Sequence, residues 1–231
     1  MTTTTARFSG FTPEAIHFLL ELSVNNERAW FQTRKGEYER LLKEPLEALC
    51  NALAQQFEAR GIPLRSDPIR SPFRIYRDVR FSKDKSPYKT HVSASFPWAS
   101  ATGDDTSHGM GGYFHFQPDE YHVGGGMWHP ERPRLEAWRA MVADAPARVH
   151  GAIEDPRFVG AFGSVEGERL LRVPTGWPAD HPDAELLRLK DVTFGRQLTE
   201  DEALSPELPE VLADAFAAAE PVLRLLASLP A

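Results

Sequence analysis

The sequence has a single cysteine, no long apolar run and no pattern of a secretory signal. Cys50 is the one cysteine among 231 residues, so a disulfide within the chain is excluded and a reducing compartment is expected. No stretch approaches the roughly 18 apolar residues that span a bilayer. The first ten residues lack the basic and apolar regions of a signal peptide. We therefore expect a cytoplasmic protein with no membrane partner, and a core position for Cys50.

Sequence motifs for nucleotide and metal sites are also missing. The glycine run at Gly124–Gly126 has neither the Gly-x-Gly-x-x-Gly spacing nor a following Lys-Ser/Thr pair. Three glycines after a strand favour a bulge or a tight crossing, although their N–H groups ahead of a helix could also hold an anion. No His-Glu-x-x-His motif or cysteine pair occurs, so we assign no metal site and no cofactor.

The order of apolar patterns indicates helices, then strands, then helices. Apolar residues recur at helical spacing up to residue 60, alternate with polar residues between about 70 and 128, and return to helical spacing after residue 130. This order predicts an α+β fold, with a central, largely antiparallel sheet (about residues 70–128) packed against N-terminal and C-terminal helices. We expect a single domain over residues 1–231, with a mobile loop at about residues 99–112.

Helix start and stop signals give approximate boundaries. The first helix begins at Pro13 and ends at Asn25-Asn26, where a short second helix follows. A longer helix is predicted over residues 37–60, another over residues 130–150, and a last one from Ser205 to Leu226. The region between the last two contains only one further short helix in this prediction.

Charge is distributed unevenly along the chain. The formal net charge is −7, yet residues 70–91 contain seven Arg and Lys against two Asp. The remaining residues carry 19 basic and 31 acidic side chains. A general nucleic-acid binder would be basic across the domain. The distribution favours a local anion site and argues against nucleic acid as the partner.

Strand parity predicts one shared polar face. If a strand at residues 73–81 pairs with one at residues 91–96, the apolar residues of both face the core and the polar residues coincide on the other side. The hairpin formed by residues 112–116 and 121–125 follows the same parity. The predicted polar face contains Arg74, Tyr76, Asp78, Arg80, His91, Ser93, Ser95, Tyr113, His115 and His122.

Arg77 falls on the apolar side of this predicted strand, between Ile75 and Val79. A guanidinium there needs a carboxylate partner, because an unpaired buried charge costs several kcal/mol. A buried ion pair and a twist that returns Arg77 to solvent are both consistent with the pattern. The loop at residues 82–90 adds further lysines, which by themselves are typical of an exposed turn.

The spacing Arg74-x-x-Arg77-Asp78-x-Arg80-Phe81-x-x-Asp84-Lys85-x-x-Tyr88 resembles the signature of an uncharacterised, mainly bacterial family, domain of unknown function 2461. The resemblance extends over the whole chain, including FLLELSVNNERAWF, GYFHFQP, GGGMWHP and VPTGWPADHPDAELLRLK. It implies that the signature residues belong together and that Phe81 lies in the core. It implies no reaction, cofactor or partner.

We hypothesise that a small anionic ligand, possibly phosphorylated, binds on the polar face of the sheet. Arg74 and Arg80 would clamp the anion by bidentate hydrogen bonds. The remaining predicted ligand-binding residues are Arg77, Lys85, Tyr88 and Lys89. Candidate catalytic residues, if a reaction follows binding, are Asp78 as base with His91 and His115 as proton carriers.

Two other interpretations stay open. The Arg–Asp array could be an internal salt-bridge network of an interaction module. Alternatively, the same cations with Tyr76, Tyr88 and Trp98 could bind nucleic acid by phosphate contacts and stacking. A metal shared by His115 and His122 would need a third ligand, and a Ser93–His91–Asp78 triad lacks a nucleophile elbow. The sequence does not assign the oligomeric state.

Overall fold

A computed structural model describes residues 7–80, 82–99 and 109–230. Phe81 and most of the predicted loop at 99–112 lie outside the described residues. The fold is α+β, as predicted: helices flank a four-stranded antiparallel sheet with strand order β1-β2-β3-β4. None of the helices in the described part is long and apolar enough to cross a membrane.

The chain divides into two compact units. Unit 1 comprises the described residues up to Phe96, with Tyr113–Val123 and Gln197–Ala213; unit 2 comprises the described residues of Pro97–Gly112, with Gly124–Arg196 and the described residues from Asp214 onward. The single domain over residues 1–231 stays a prediction.

The N-terminal helices begin and end where their sequence signals indicate. They are α1 (Pro13–Val24), α2 (Arg28–Thr33), α3 (Lys35–Tyr38), a π-helical turn (Glu39–Lys43) and α4 (Glu44–Arg60). Pro13 occupies the first turn of α1, and Gly61 ends α4 in the left-handed conformation with a φ of 66°. Pro45 lies in the first turn of α4, where its missing N–H is tolerated. The predicted long helix is therefore divided just before this proline.

The sheet consists of β1 (Val92–Pro97), β2 (Met110–Gln117), β3 (Glu120–Met127) and β4 (Val192–Gln197). Burial alternates strictly along β2, as expected for a strand with one face on the core. β2 and β3 form the predicted hairpin, although β2 begins at Met110 and so includes residues that were assigned to the mobile loop. β4 was not predicted, because it lies far along the chain from its partner β3.

The predicted regular strand at residues 73–81 is wrong. Instead, Pro72 forms an isolated antiparallel bridge with Ala94, and Tyr76 forms another with Tyr88. Three residues lie between the bridges on one side and five on the other, so a continuous ladder cannot form between them. We call the described residues within 71–95 the basic hairpin; its loop comprises residues 78–80 and 82–86.

The C-terminal half contains more, shorter helices than predicted. They are α5 (Arg132–Asp144), α6 (Pro146–Ile153), α7 (Pro156–Phe162), α8 (Ala184–Leu187), α9 (Glu200–Leu204) and α10 (Leu208–Ala227). Pro146 divides the helix predicted over residues 130–150, since the residue before a proline avoids the helical conformation. α9 begins with a capping box between Thr199 and Glu202.

The core of unit 1 is built largely from aromatic side chains. Phe11 of the N-terminal segment stacks on Phe116 of β2, with ring centroids 4.3 Å apart. Phe57 of α4 meets Phe96 of β1 edge to face at 5.7 Å. Such pairs add about 0.5–1.5 kcal/mol each beyond the burial of their area. They fix one side of the sheet and leave the other side to polar residues.

In unit 2, a buried arginine joins helices to the segment before β4. Arg139 of α5 donates to the carbonyl oxygens of Leu187 and Leu189, at 3.0 and 3.4 Å, and pairs with Glu136 at 2.9 Å. These contacts satisfy the guanidinium, as a buried charge requires. Arg139 is therefore a structural cation.

The glycine run lies inside β3 and not at a junction between a strand and a helix. A Cβ atom on Gly125 would lie 2.3 Å from the carbonyl oxygen of Gly111, and one on Gly126 would lie 2.3 Å from that of Val192. Gly126 also has a φ of 119°, which side chains rarely adopt. The run allows close backbone approach on both sides of β3, in agreement with a tight crossing and against an anion-binding loop.

We expect Gly126→Ala to destabilise the fold, by about 1–3 kcal/mol from backbone strain alone. Gly151→Ala is the matched control, because Gly151 lies in α6 with open space around its Cβ position. Removing that helical glycine should stabilise by about 0.5–1 kcal/mol. Urea unfolding measures the expected loss of stability in Gly126→Ala and the expected gain in Gly151→Ala. Equal midpoints for the two variants would contradict this account of the glycine run.

Candidate functional site

The basic hairpin is anchored to the N-terminal helices at Tyr88. The Asn26 side chain donates to the Tyr88 carbonyl oxygen at 3.0 Å and accepts from the Tyr88 N–H at 3.1 Å. The Tyr88 ring is 1% exposed and stacks on Phe31 of α2 at 4.0 Å. Tyr88, which we expected to contact a ligand from a mobile loop, holds the hairpin in place.

Two ion pairs on the hairpin loop use four of the signature residues. Arg80 pairs with Asp78 at 2.6 Å, with side chains 77% and 45% exposed. Arg77 pairs with Asp84 and is only partly exposed. The pairs are therefore solvated, and such pairs contribute little to stability. Arg77 has the carboxylate partner that we predicted, but it is not buried.

The carboxylates of these pairs are poorly suited to act as bases. Hydrogen bonds from the Arg80 side chain and backbone lower the pKa of Asp78 to about 2. Hydrogen bonds from Ser86, followed by one from Arg77, hold the pKa of Asp84 well below its usual range. A carboxylate with so low a pKa accepts a proton weakly near neutral pH. The geometry therefore disfavours Asp78 as the base that we hypothesised.

The clamp of Arg74 and Arg80 stays a prediction. Both arginines act on Asp78, which Arg80 binds directly and whose pKa the charge of Arg74 also lowers. Arg74 in addition lies close enough to Lys89 to lower its pKa. Lys85 also acts within the loop, where its ammonium group donates to the carbonyl oxygen of Val79 at 2.9 Å. Among the predicted ligand-binding cations, Arg74 and Lys89 stay available on the sheet side of the hairpin.

A polar cluster forms on the sheet face where parity predicted it. The rings of His91 and His115 are 4.4 Å apart between centroids. The Tyr113 hydroxyl lies 3.0 Å from Nδ1 of His115. Ser93 is buried and hydrogen-bonds to Tyr113. We call these four residues the imidazole cluster. The cluster joins β1 and the residue just before it to β2, as the shared parity predicted.

One atom of the imidazole cluster lacks a partner. Nε2 of His115 is buried and has no hydrogen bond to any described residue. The Gln117 side chain raises the pKa of His115 as a hydrogen-bond partner, although no hydrogen bond of ordinary distance and angle reaches Nε2. A buried polar atom left unpaired costs about 1–3 kcal/mol, so such atoms are uncommon in folded proteins.

Both imidazoles are held in the neutral form. Burial, followed by the charges of His115, Lys89 and Arg77, lowers the pKa of His91 to about 4. Burial is also the largest cause of the lowered pKa of His115, with His122 acting in the same direction. Near neutral pH the cluster is therefore uncharged, with cations at its rim.

The rim of the imidazole cluster carries Lys89, which has no carboxylate partner among the described residues, and Arg74 acts on the charges of both Lys89 and Asp78. Lys89 lies over the ring of Phe73 at 5.0 Å, and that ring is 6.3 Å from the ring of Tyr113. Burial, followed by the charge of Arg74, lowers the pKa of Lys89. Phe73 is 45% exposed, so its predicted core position is wrong; it extends the sheet face towards Lys89.

Metal ligation by His115 and His122 gains no support from the geometry. Across residues 7–80, 82–99 and 109–230, no group of three or more His, Cys, Asp or Glu is arranged to hold an ion. Trp98, which was considered for base stacking, is in unit 2 with Arg224 over its ring at 5.9 Å. The sequence did not indicate a cleft that lies beside α2.

The class of protein defined so far is an α+β protein with a basic hairpin beside a polar sheet face. The chain belongs to the family described as "Conserved hypothetical protein (DUF2461)", whose model matches residues 14–224. No curated protein and no solved structure matches the chain. The family resemblance of the sequence is therefore confirmed over nearly the full length.

We predict that Asn26, and not the exposed ion pairs, holds the hairpin. Asn26→Ala removes two hydrogen bonds to the backbone of a buried residue and should cost about 1–3 kcal/mol. Asn25→Ala, the matched control, removes one exposed bond to the Glu21 carbonyl oxygen and should cost less. Arg80→Gln should leave the urea midpoint near the wild-type value. A larger loss in Arg80→Gln than in Asn26→Ala would instead support a structural salt-bridge network.

We also predict a stability change between pH 6.5 and 4 that depends on His91. The folded-state pKa of about 4 lies below the ordinary 6.5, so the unfolded chain binds the proton first as pH falls. Stability should therefore decline over this interval and His91→Gln should reduce the decline. His17→Gln, at an exposed position of α1, is the control. Unfolding free energies at pH 7 and 4.5 test this, and an unchanged decline in His91→Gln would contradict it.

Proposed function

We propose that this protein binds a small anion, a phosphate ester or a carboxylate, on the polar face of its sheet. The ligand lies over the imidazole cluster, and Lys89 and Arg74 supply the positive charge. The observation that carries the proposal is the unpaired, buried Nε2 of His115 in a cluster edged by Lys89, which has no carboxylate partner among the described residues and has Arg74 beside it.

The cations favour an anion for an electrostatic reason. Lys89 is partly desolvated and lies near Arg74, and both effects lower its pKa. A nearby negative charge would raise the pKa of Lys89 again, because an opposite charge within about 4–6 Å favours the charged form of a lysine. Hydrogen bonds from an ammonium or guanidinium group to an anion are also stronger than neutral ones.

The imidazole cluster supplies neutral hydrogen-bond donors. If the Tyr113 hydroxyl donates to Nδ1 of His115, the ring proton is on Nε2. That N–H is then a buried donor which a ligand oxygen can satisfy. His91, at 4.4 Å between ring centroids, lies next to this donor, and the Lys89 charge acts on His91. A ligand with several oxygens can reach all three groups.

The contacts favour a small-anion site over a salt-bridge network and over nucleic-acid binding. A salt-bridge network would need buried pairs, whereas Arg80 and Asp78 are largely exposed. Nucleic-acid binding would use Tyr88 for stacking, but that ring is buried against Phe31. The acidic remainder of the chain also disfavours a long polyanion.

Thermal-shift and calorimetric measurements with inorganic phosphate, citrate, sugar phosphates and nucleotides test the proposal. A ligand at a hundred times its dissociation constant adds about 2.7 kcal/mol, or several degrees for a protein of this size. We expect the shift to be lost in Lys89→Gln and reduced in His115→Phe. Lys83→Gln is the matched control, because Lys83 is an exposed lysine of the same hairpin.

Two results would contradict the proposal. The first is the absence of a shift with every anion at low salt. The second is an equal loss in Lys83→Gln and Lys89→Gln, which would indicate diffuse surface attraction without a site. Proton NMR of the histidines gives an independent readout, since a bound anion should raise the pKa of His91 from about 4.

A further inference from the structure

A cleft of about 290 Å³ lies in unit 1 between α2 and the basic hairpin. Its lining residues are Arg28, Gln32, Tyr76, Arg77, Val79, Pro87 and Tyr88. It shares none of the imidazole-cluster residues. Its volume is at the lower end of the range for ligand sites, and therefore fits a ligand with one ring and not a dinucleotide.

The floor of the cleft is held in place. Tyr88 is fixed on two sides, by the backbone hydrogen bonds to Asn26 and by stacking on Phe31. Tyr76 lies next to it, with ring centroids 5.4 Å apart, yet is 47% exposed. Three rings thus form a row that begins in the core and ends at the cleft.

One wall of the cleft is polar and contains a charged side chain that has no partner among the described residues. Arg28 and Gln32 are four residues apart on α2, so their side chains project from the same face. Neither side chain forms a hydrogen bond or an ion pair with a described residue. Arg77, by contrast, is paired with Asp84. Arg28 is therefore the guanidinium in this lining that is available to an anion.

We infer that this cleft is a second ligand site, for a single aromatic ring bearing one carboxylate or phosphate group. The ring lies against Tyr76 and Pro87, and the anionic group accepts hydrogen bonds from Arg28 and Gln32. An aromatic ring suits the exposed Tyr76 face, because offset or edge-to-face ring pairs are favourable beyond area burial. A guanidinium binds either acid group through two parallel hydrogen bonds.

Phenyl phosphate, benzoate and cyclohexanecarboxylate are the probes, with binding measured by calorimetry and by NMR shifts of α2 amides. We expect benzoate to bind more tightly than cyclohexanecarboxylate and Arg28→Gln to weaken both aromatic probes about tenfold or more, the loss of a charged hydrogen bond. Tyr76→Leu should remove the preference for the aromatic ring. Arg40→Gln is the matched control, because Arg40 is exposed and outside the cleft.

Three outcomes would overturn the inference: equal binding of benzoate and cyclohexanecarboxylate, equal effects of Arg28→Gln and Arg40→Gln, or no shift of any α2 amide. Lys89→Gln separates this site from the anion site over the imidazole cluster. It should abolish inorganic phosphate binding on the sheet face and leave benzoate binding in the cleft intact. If one of the two sites proves to be absent, the test of the other site is therefore unaffected.

Discussion

The two hydrogen bonds between Asn26 and the Tyr88 backbone are the constraint on which the rest of the site depends. Apart from its residues in β1, the basic hairpin is held by isolated bridges at Pro72 and Tyr76 and by a few backbone hydrogen bonds beside them. A segment paired so sparsely would not keep a fixed position by itself. The Asn26 amide acts as a substitute for a neighbouring strand, and Tyr88 adds a buried ring. Together they fix Lys89 near the sheet face and close the floor of the cleft.

This anchoring explains how a cationic segment persists in an acidic protein. Two of the hairpin's arginines are neutralised locally by Asp78 and Asp84 in solvated pairs, which contribute little to stability. The charges that are left without partners lie on two different sides. Lys89, with Arg74 beside it, lies at the rim of the imidazole cluster, and Arg28 of α2 lines the cleft. The local surplus of positive charge is thus divided between two small surfaces.

Local patterns in the sequence predicted more than non-local pairings. The period of two along β2 correctly grouped Tyr113 with His115, because side-chain alternation is a property of any strand. Helix starts followed from Pro13 and stops from Gly61 for the same reason. The register of the basic hairpin could not be predicted in this way. The extra residues between its two bridges do not change the alternation of apolar and polar residues in the sequence. β4 and the role of Asn26 depend on partners more than sixty residues away, which a pattern within one window does not contain.

The hairpin backbone is a wall common to both candidate sites. Arg77 lines the cleft, and its charge also contributes to the low pKa of His91 on the sheet face. Burial is the largest cause of the low His91 pKa, and the charge of Arg77 contributes less than those of His115 and Lys89, so this coupling is weak. An anion near Arg77 would partly cancel that charge and raise the His91 pKa slightly. Because linkage is reciprocal, protonation of His91 would favour an anion in the cleft to the same small extent. The two surfaces therefore act nearly independently, although one short segment of chain forms both.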